Sequence, residues 1–173
     1  MTKLKGILLT EGMHGMISQV EGLAKALDIN YSHHTVETKG FWKVIPPKFT
    51  PISDSVFKKI ECEDVDLIIS CGRKSIIPSL FLKKNSKKKV FNIHIQNPKI
   101  KLDNFDLVVV PEHDNLDGHN VLKTKGAIHY LTSEEIEKDK EYLFSISSKL
   151  RDKNIISLII GLSLIHISEP TRL

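Results

Sequence analysis

At 173 residues, 40% of them hydrophobic, the chain is long enough to bury one ordinary core. Its formal net charge of +4 comes from lysines and arginines interleaved with acidic residues, a balance that does not mark a nucleic-acid binder. With no signal-peptide pattern and no apolar run of the 18 or so residues that cross a bilayer, the expectation is a cytoplasmic protein, either free or peripheral to the inner face of a membrane.

Leu4 to Leu9 is a short apolar run that predicts a first parallel strand. Met13 to Leu27 follows, with Ile17, Val20, Leu23, Ala24 and Leu27 at helical spacing. The junction between them, Thr10 to Gly15, places Gly12 and Gly15 beside a helix N-terminus. It reads either as a plain strand-to-helix turn or as an anion cradle that lacks the order of a dinucleotide or P-loop motif.

Tyr31 to Val36 predicts a second strand. The stretch from Phe41 to Ile52 holds Pro46, Pro47 and Pro51 and must be a loop. Ser53 or Asp54 is placed to cap a helix reaching Ile60, ahead of a strong strand from Val65 to Ser70. The two cysteines, Cys62 and Cys71, flank that strand without metal-ligand spacing and are expected to be reduced thiols.

A second junction, Ser70 to Ser75, sets Arg73 and Lys74 beside Gly72 at the start of a helix running to Lys84. The two cations suit a phosphate or carboxylate, or form a solvated basic turn. Cys71 reads as a small buried thiol, and as a nucleophile only with a base beside it. The run Lys83, Lys84, Lys87, Lys88 and Lys89 is either a solvated helix end or a contact for an acidic membrane surface.

Val90 to Ile95 predicts another strand, with His94 a structural histidine inside it. Gln96 and Asn97 at its end either read substrate hydroxyls or close a turn. Phe105 to Val110 predicts one more strand, ending in Glu112, His113 and Asp114. That cluster is suited to acid/base chemistry or to orienting a hydroxyl; three adjacent residues converging on one metal ion is not expected. Thr132 and Glu135 have capping-box spacing and predict a helix to about Leu150, before an apolar β-branched run from Ile155 to Ile160.

Apolar strands alternating with helices predict an α/β fold, a parallel sheet with helices on both faces. Leu162 to Arg172 reads LSLIHISEPTR, resembling a translated frame of a transposase-derived sequencing adapter. Residues 162–173 are therefore left out of the fold, and His166, Glu169 and Arg172 carry no functional weight.

Taken in order, TEGMHGMISQVEGLAKAL, LIISCGRKS, HIQNPK, FDLVVVPEHD and GAIHYLT resemble the mitochondrial fission family named for the elongated-mitochondria protein of plants, which also has many bacterial members. The lysine-rich chain is more similar to the bacterial members than to the plant ones. The resemblance runs from Leu4 to Ile160 and implies a Rossmann-like domain over residues 1–161. In that comparison it is the N-terminal, acceptor-side half of a GT-B-like glycosyltransferase fold whose C-terminal half lies beyond this chain.

It further implies a nucleotide sugar as co-substrate of the full-length protein, an acceptor of unknown kind, and no cofactor bound by this half. Carried over motif by motif, the resemblance implies cleft residues Glu11, Gly12, Gly15, Gln19, Gly72, Arg73, Lys74, Gln96 and Asn97. It implies Glu112, His113 and Asp114 as the catalytic set, with no metal. Lys99 stands where an arginine is expected, a point charge in place of a forked donor. The reading of a different class is a non-catalytic adaptor that meets a membrane or partner through the lysine run and the Phe41 to Pro51 loop.

Overall fold

The computed structural model describes residues 3–61, 64–151 and 153. The predicted Ile155 to Ile160 strand and the tail after it lie outside the described residues. The chain divides into two compact units, Met1–Leu131 and Thr132–Leu173.

The first unit is a six-stranded sheet in the order β2-β1-β3-β4-β5-β6. The strands are β1 Lys5–Thr10, β2 Asn30–Thr35, β3 Leu67–Cys71, β4 Phe91–Ile95, β5 Leu107–Pro111 and β6 Val121–Thr124, and every pairing is parallel. All the strands therefore end at one edge of the sheet, the edge that carries the junction loops.

The period-two alternation of strand residues decides which helix covers which face. Leu8, Ile69, Ile93, Ile95 and Val109 point to one side, where Val20 and Ala24 of helix α1, His14–Ala26, pack on them. On that face Gly22 of α1 meets the backbone at His129, where an added Cβ would lie 2.5 Å from the carbonyl, so only glycine allows the close approach. Ile7, Leu9, Ile68, Val108 and Val110 point to the other side, toward helix α2, Ile76–Asn85, whose Ile76, Ile77 and Leu80 are buried. Each such side chain contributes about 1.5–3 kcal/mol through burial. Pro78 sits in the first turn of α2, where its missing N–H breaks no helical hydrogen bond.

Two expectations are corrected, and one strand is not anticipated by the sequence. No helix follows Ser53: its side chain does accept a hydrogen bond from the Ser55 amide, but only one 3₁₀ turn forms, Asp54–Val56. Val56 and Phe57 are both buried, which turns the chain extended so that Phe57 can bridge to Thr38. Strand β6 has no apolar run to announce it, since two of its four residues are exposed. In the second unit, helix α3, Ser133–Ile146, begins with the expected capping box of Thr132 and Glu135, but stops four residues before Leu150, giving way to a 3₁₀ turn at Ser148–Leu150.

The loop from Thr38 to Phe57 forms a strap closed at its base by the Lys39 amide donating to the Val56 carbonyl at 2.7 Å. Within it are three 3₁₀ turns, Gly40–Lys43, Pro47–Phe49 and Asp54–Val56. Trp42 packs inward against the α2 side of the core.

Some polar groups are buried too. Ser70 and His94 are register partners on β3 and β4, with Oγ and Nδ1 2.9 Å apart, and the His94 ring stacks on Phe105. Burial pushes the His94 imidazole down to about 3, so it is neutral. Asn92, on the same face two residues earlier, is fully buried, and neither its amide nitrogen nor its carbonyl oxygen has a hydrogen-bond partner among the described residues.

Candidate functional site

The strand order reverses between β1 and β3: β2 lies outside β1, and every later strand lies beyond β3. In an open parallel sheet that reversal leaves a crevice outside the strand ends, because the connections leave in opposite directions. Here it falls between Thr10 and Cys71, so the first two junctions face each other.

Glu11 crosses that gap. Its Oε1 accepts a hydrogen bond from the Lys74 amide at 3.0 Å and its Oε2 lies 3.1 Å from the Lys74 ammonium. The approach requires Gly72, whose φ of 94° and ψ of 159° belong to a region open essentially to glycine alone. A Cβ there would lie 2.7 Å from Met16 Sδ and 2.9 Å from Glu11 Oε1. The Ser75 hydroxyl donates to the Gly72 carbonyl at 2.7 Å and fixes the turn that leads into α2.

Gly12 also has a positive φ, 85°, but its amide donates to Thr10 Oγ1 at 3.1 Å, and Thr10 Oγ1 lies 2.8 Å from His33 Nε2. Desolvation holds the His33 imidazole below its ordinary value, against the nearby Glu21 carboxylate. With the Gly12 amide engaged and the Glu11 carboxylate beside it, the first junction is shaped to hold Lys74 more than to cradle an anion. Gly15 is exposed, and a Cβ on it would meet nothing within 4 Å, so no close approach requires glycine there. Gln19 Oε1 is 4.0 Å from Cys71 Sγ. That thiol is buried, and desolvation, with the Glu11 charge second, pushes it up to about 12, so Cys71 is an inert packing group.

Arg73 reaches the strap, donating from Nη2 to the Lys43 carbonyl at 3.0 Å. The space enclosed by Trp42, Arg73, Lys74 and the strap is about 20 Å³, room for a single water.

At the end of β4, Gln96 has a φ of 87° and its amide donates to the Val109 carbonyl at 2.8 Å, tying the loop to β5. Asn97 Oδ1 accepts from the Lys99 amide at 2.9 Å, and Lys99 is left-handed at φ 53°. Asn97 thus closes a turn with the oxygen that a hydroxyl-reading role would use. Gln96 and Lys99 are both held at positive φ, a conformation costing a non-glycine residue of order 1–3 kcal/mol.

Glu112, His113 and Asp114 form an exposed 3₁₀ turn beyond β5, with His113 Nε2 3.7 Å from Asp114 Oδ1. Among the described residues no hydrogen bond or ion pair joins this turn to Glu11 or Lys74, and no group of His, Cys, Asp and Glu could hold a metal ion. The sheet therefore brings the Glu11 and Lys74 junctions into contact and places the Glu112 turn along the same edge, separate from them. Thr10, Met16 and His33 belong to the crevice as well. Their sequence contexts, a strand end, an amphipathic helix and a histidine pair, carry no signal of it.

The sequence pattern of the family described as Mitochondrial fission ELM1 matches residues 14–166. A protein of Arabidopsis thaliana named Mitochondrial fission protein ELM1 is 35% identical over 48 residues, which is 28% of this chain and 11% of that protein. The matched stretch is thus a small part of that relative's length. No solved structure matches the chain.

Proposed function

The chain belongs to the mitochondrial fission ELM1 family, and on that premise we propose that it is the acceptor-side half of a GT-B-like, sugar-nucleotide-dependent transferase. The observation that carries the reading is the switch-point crevice: a parallel sheet whose strand order reverses between β1 and β3, with Glu11, Gly72 and Lys74 meeting there. The donor nucleotide sugar belongs to a C-terminal half outside this chain, and this half presents the acceptor.

In that arrangement the exposed Glu112 or His113 accepts the acceptor hydroxyl proton, and Asp114, 3.7 Å from the imidazole, orients it. Arg73, which uses one nitrogen on Lys43, retains further donors for phosphate charge. The test is nucleotide-sugar turnover by the full-length protein with Glu112→Ala and His113→Ala. Loss of turnover in either, with unchanged nucleotide-sugar binding, supports the reading; full turnover in both removes them from the mechanism.

The adaptor reading through the lysine run draws less support. Lys83 is paired with Asp106 and Lys88 with Asp66, each at 2.7 Å, which leaves Lys84, Lys87 and Lys89 without an ion-pair partner among the described residues.

A further inference from the structure

Beside the strap lies an open groove of about 570 Å³ whose floor is Ile52, Ile77 and Leu80 and whose rim carries Lys48, Lys99 and Lys101. Among the described residues no acidic one lines it. Among the described residues no carboxylate lies within ion-pair distance of any of the three lysines. The strap has no Asp or Glu from Thr38 to Ser53, yet carries Lys39, Lys43 and Lys48 among large apolar residues. Those apolar residues are turned outward: Phe41 is 65% exposed, Val44 73% and Phe49 71%.

We propose that this groove and the strap form a docking surface for an anionic phospholipid bilayer. The lysines meet headgroup phosphates, and the strap's apolar side chains enter the interfacial layer. Charge complementarity selects the occupant: a surface both cationic and apolar, whose one acidic residue among those described, Asp54, sits at the base of the strap, matches the anionic headgroup and acyl boundary of a bilayer. The strap is also stiff. Three prolines, three 3₁₀ turns, the inward Trp42 and the Arg73 bond to the Lys43 carbonyl hold it, so little ordering entropy is lost on docking. The Lys83 to Lys89 run lacks this combination, since two of its lysines are paired and no exposed large apolar residue lies within it. The proposal does not rest on the transferase reading, and its test needs no catalytic activity.

Co-sedimentation with vesicles of pure phosphatidylcholine and of phosphatidylcholine mixed with phosphatidylglycerol tests it. The protein binds the mixed vesicles, not the neutral ones, and binding weakens as salt rises. Replacing Lys48, Lys99 and Lys101 together by glutamine weakens it by about five-fold per lysine, roughly 100-fold for the set. Phe49→Ala weakens it about ten-fold at low and high salt alike. Glutamine at Lys84, Lys87 and Lys89 has a much smaller effect. Absence of binding to the mixed vesicles overturns the proposal. So does unchanged binding in the triple variant.

Discussion

Glu11 holds Lys74 at two points, accepting from its backbone amide at 3.0 Å and facing its ammonium at 3.1 Å, so a single carboxylate ties the end of β1 to the turn before α2. The Glu11 side chain is only 10% exposed, which keeps water from replacing either contact. Glu11→Ala strands the amide and is expected to cost about 1.5–3 kcal/mol in urea unfolding. Glu11→Gln keeps an acceptor for the amide and is expected to cost less. Equal loss in the two variants would mean that the charge, not the hydrogen bond, is what matters.

Gly72→Ala meets two obstacles at once, a backbone conformation closed to side chains and an atom 2.9 Å from Glu11 Oε1. The expected loss is about 1–3 kcal/mol from strain alone. Met16→Ala added to Gly72→Ala relieves the contact with sulfur and leaves the strain, so it restores only part of the stability. Full restoration would show that the turn tolerates a Cβ.

His94 makes stability depend on pH in a definite direction. Its folded imidazole titrates near 3 against 6.5 for an unburied histidine, so below pH 6.5 the unfolded chain takes up a proton that the folded chain refuses. Stability contributed by the neutral ring is complete above pH 6.5 and declines as pH falls toward 3, by up to about 1.4 kcal/mol per pH unit. The depressed His33 acts in the same sense. Chemical unfolding measured from pH 7 to about 5.5, above most carboxylate titration, should show this slope, and His94→Gln should flatten it. An unchanged slope in the variant would assign it to other groups.

The strands from Leu67 to Cys71 and from Leu107 to Pro111 were legible because fully buried parallel strands are written as unbroken apolar runs. The edge strand β6 was not, because an edge needs no such run. The consecutive Val56 and Phe57 suited the start of a helix and are instead drawn flat by burial on both, a tertiary demand that local capping signals do not contain. Glu11 and Lys74 could each be named from their own junctions. Their pairing spans 63 residues and follows from strand order, which periodicity does not specify. The left-handed Gln96 was invisible, since nothing in a glutamine announces a positive φ.

Cys71 should be chemically silent. With its thiol pushed up to about 12 and no exposed surface, it is not expected to react with a disulfide reagent at pH 8 in the native protein. In a Cys62→Ala background, labelling should appear only on unfolding and at the global unfolding rate. Fast labelling under native conditions would place Cys71 in a segment that opens locally.

Asn92 has a different kind of consequence. A buried amide whose nitrogen and oxygen both lack partners among the described residues lowers the stability of the fold, so there is room for improvement in the interior, away from the strand-end edge. Asn92→Leu keeps the branched side-chain skeleton without its polar atoms and is expected to raise stability by about 1–3 kcal/mol, the desolvation penalty of the unsatisfied group. Proteins drift to such positions because selection asks only that they remain stable enough. An engineer wanting a sturdier scaffold for the strand-end crevice would begin on β4, where tolerance to later, costlier changes at Glu11 or Gly72 could be stored in advance.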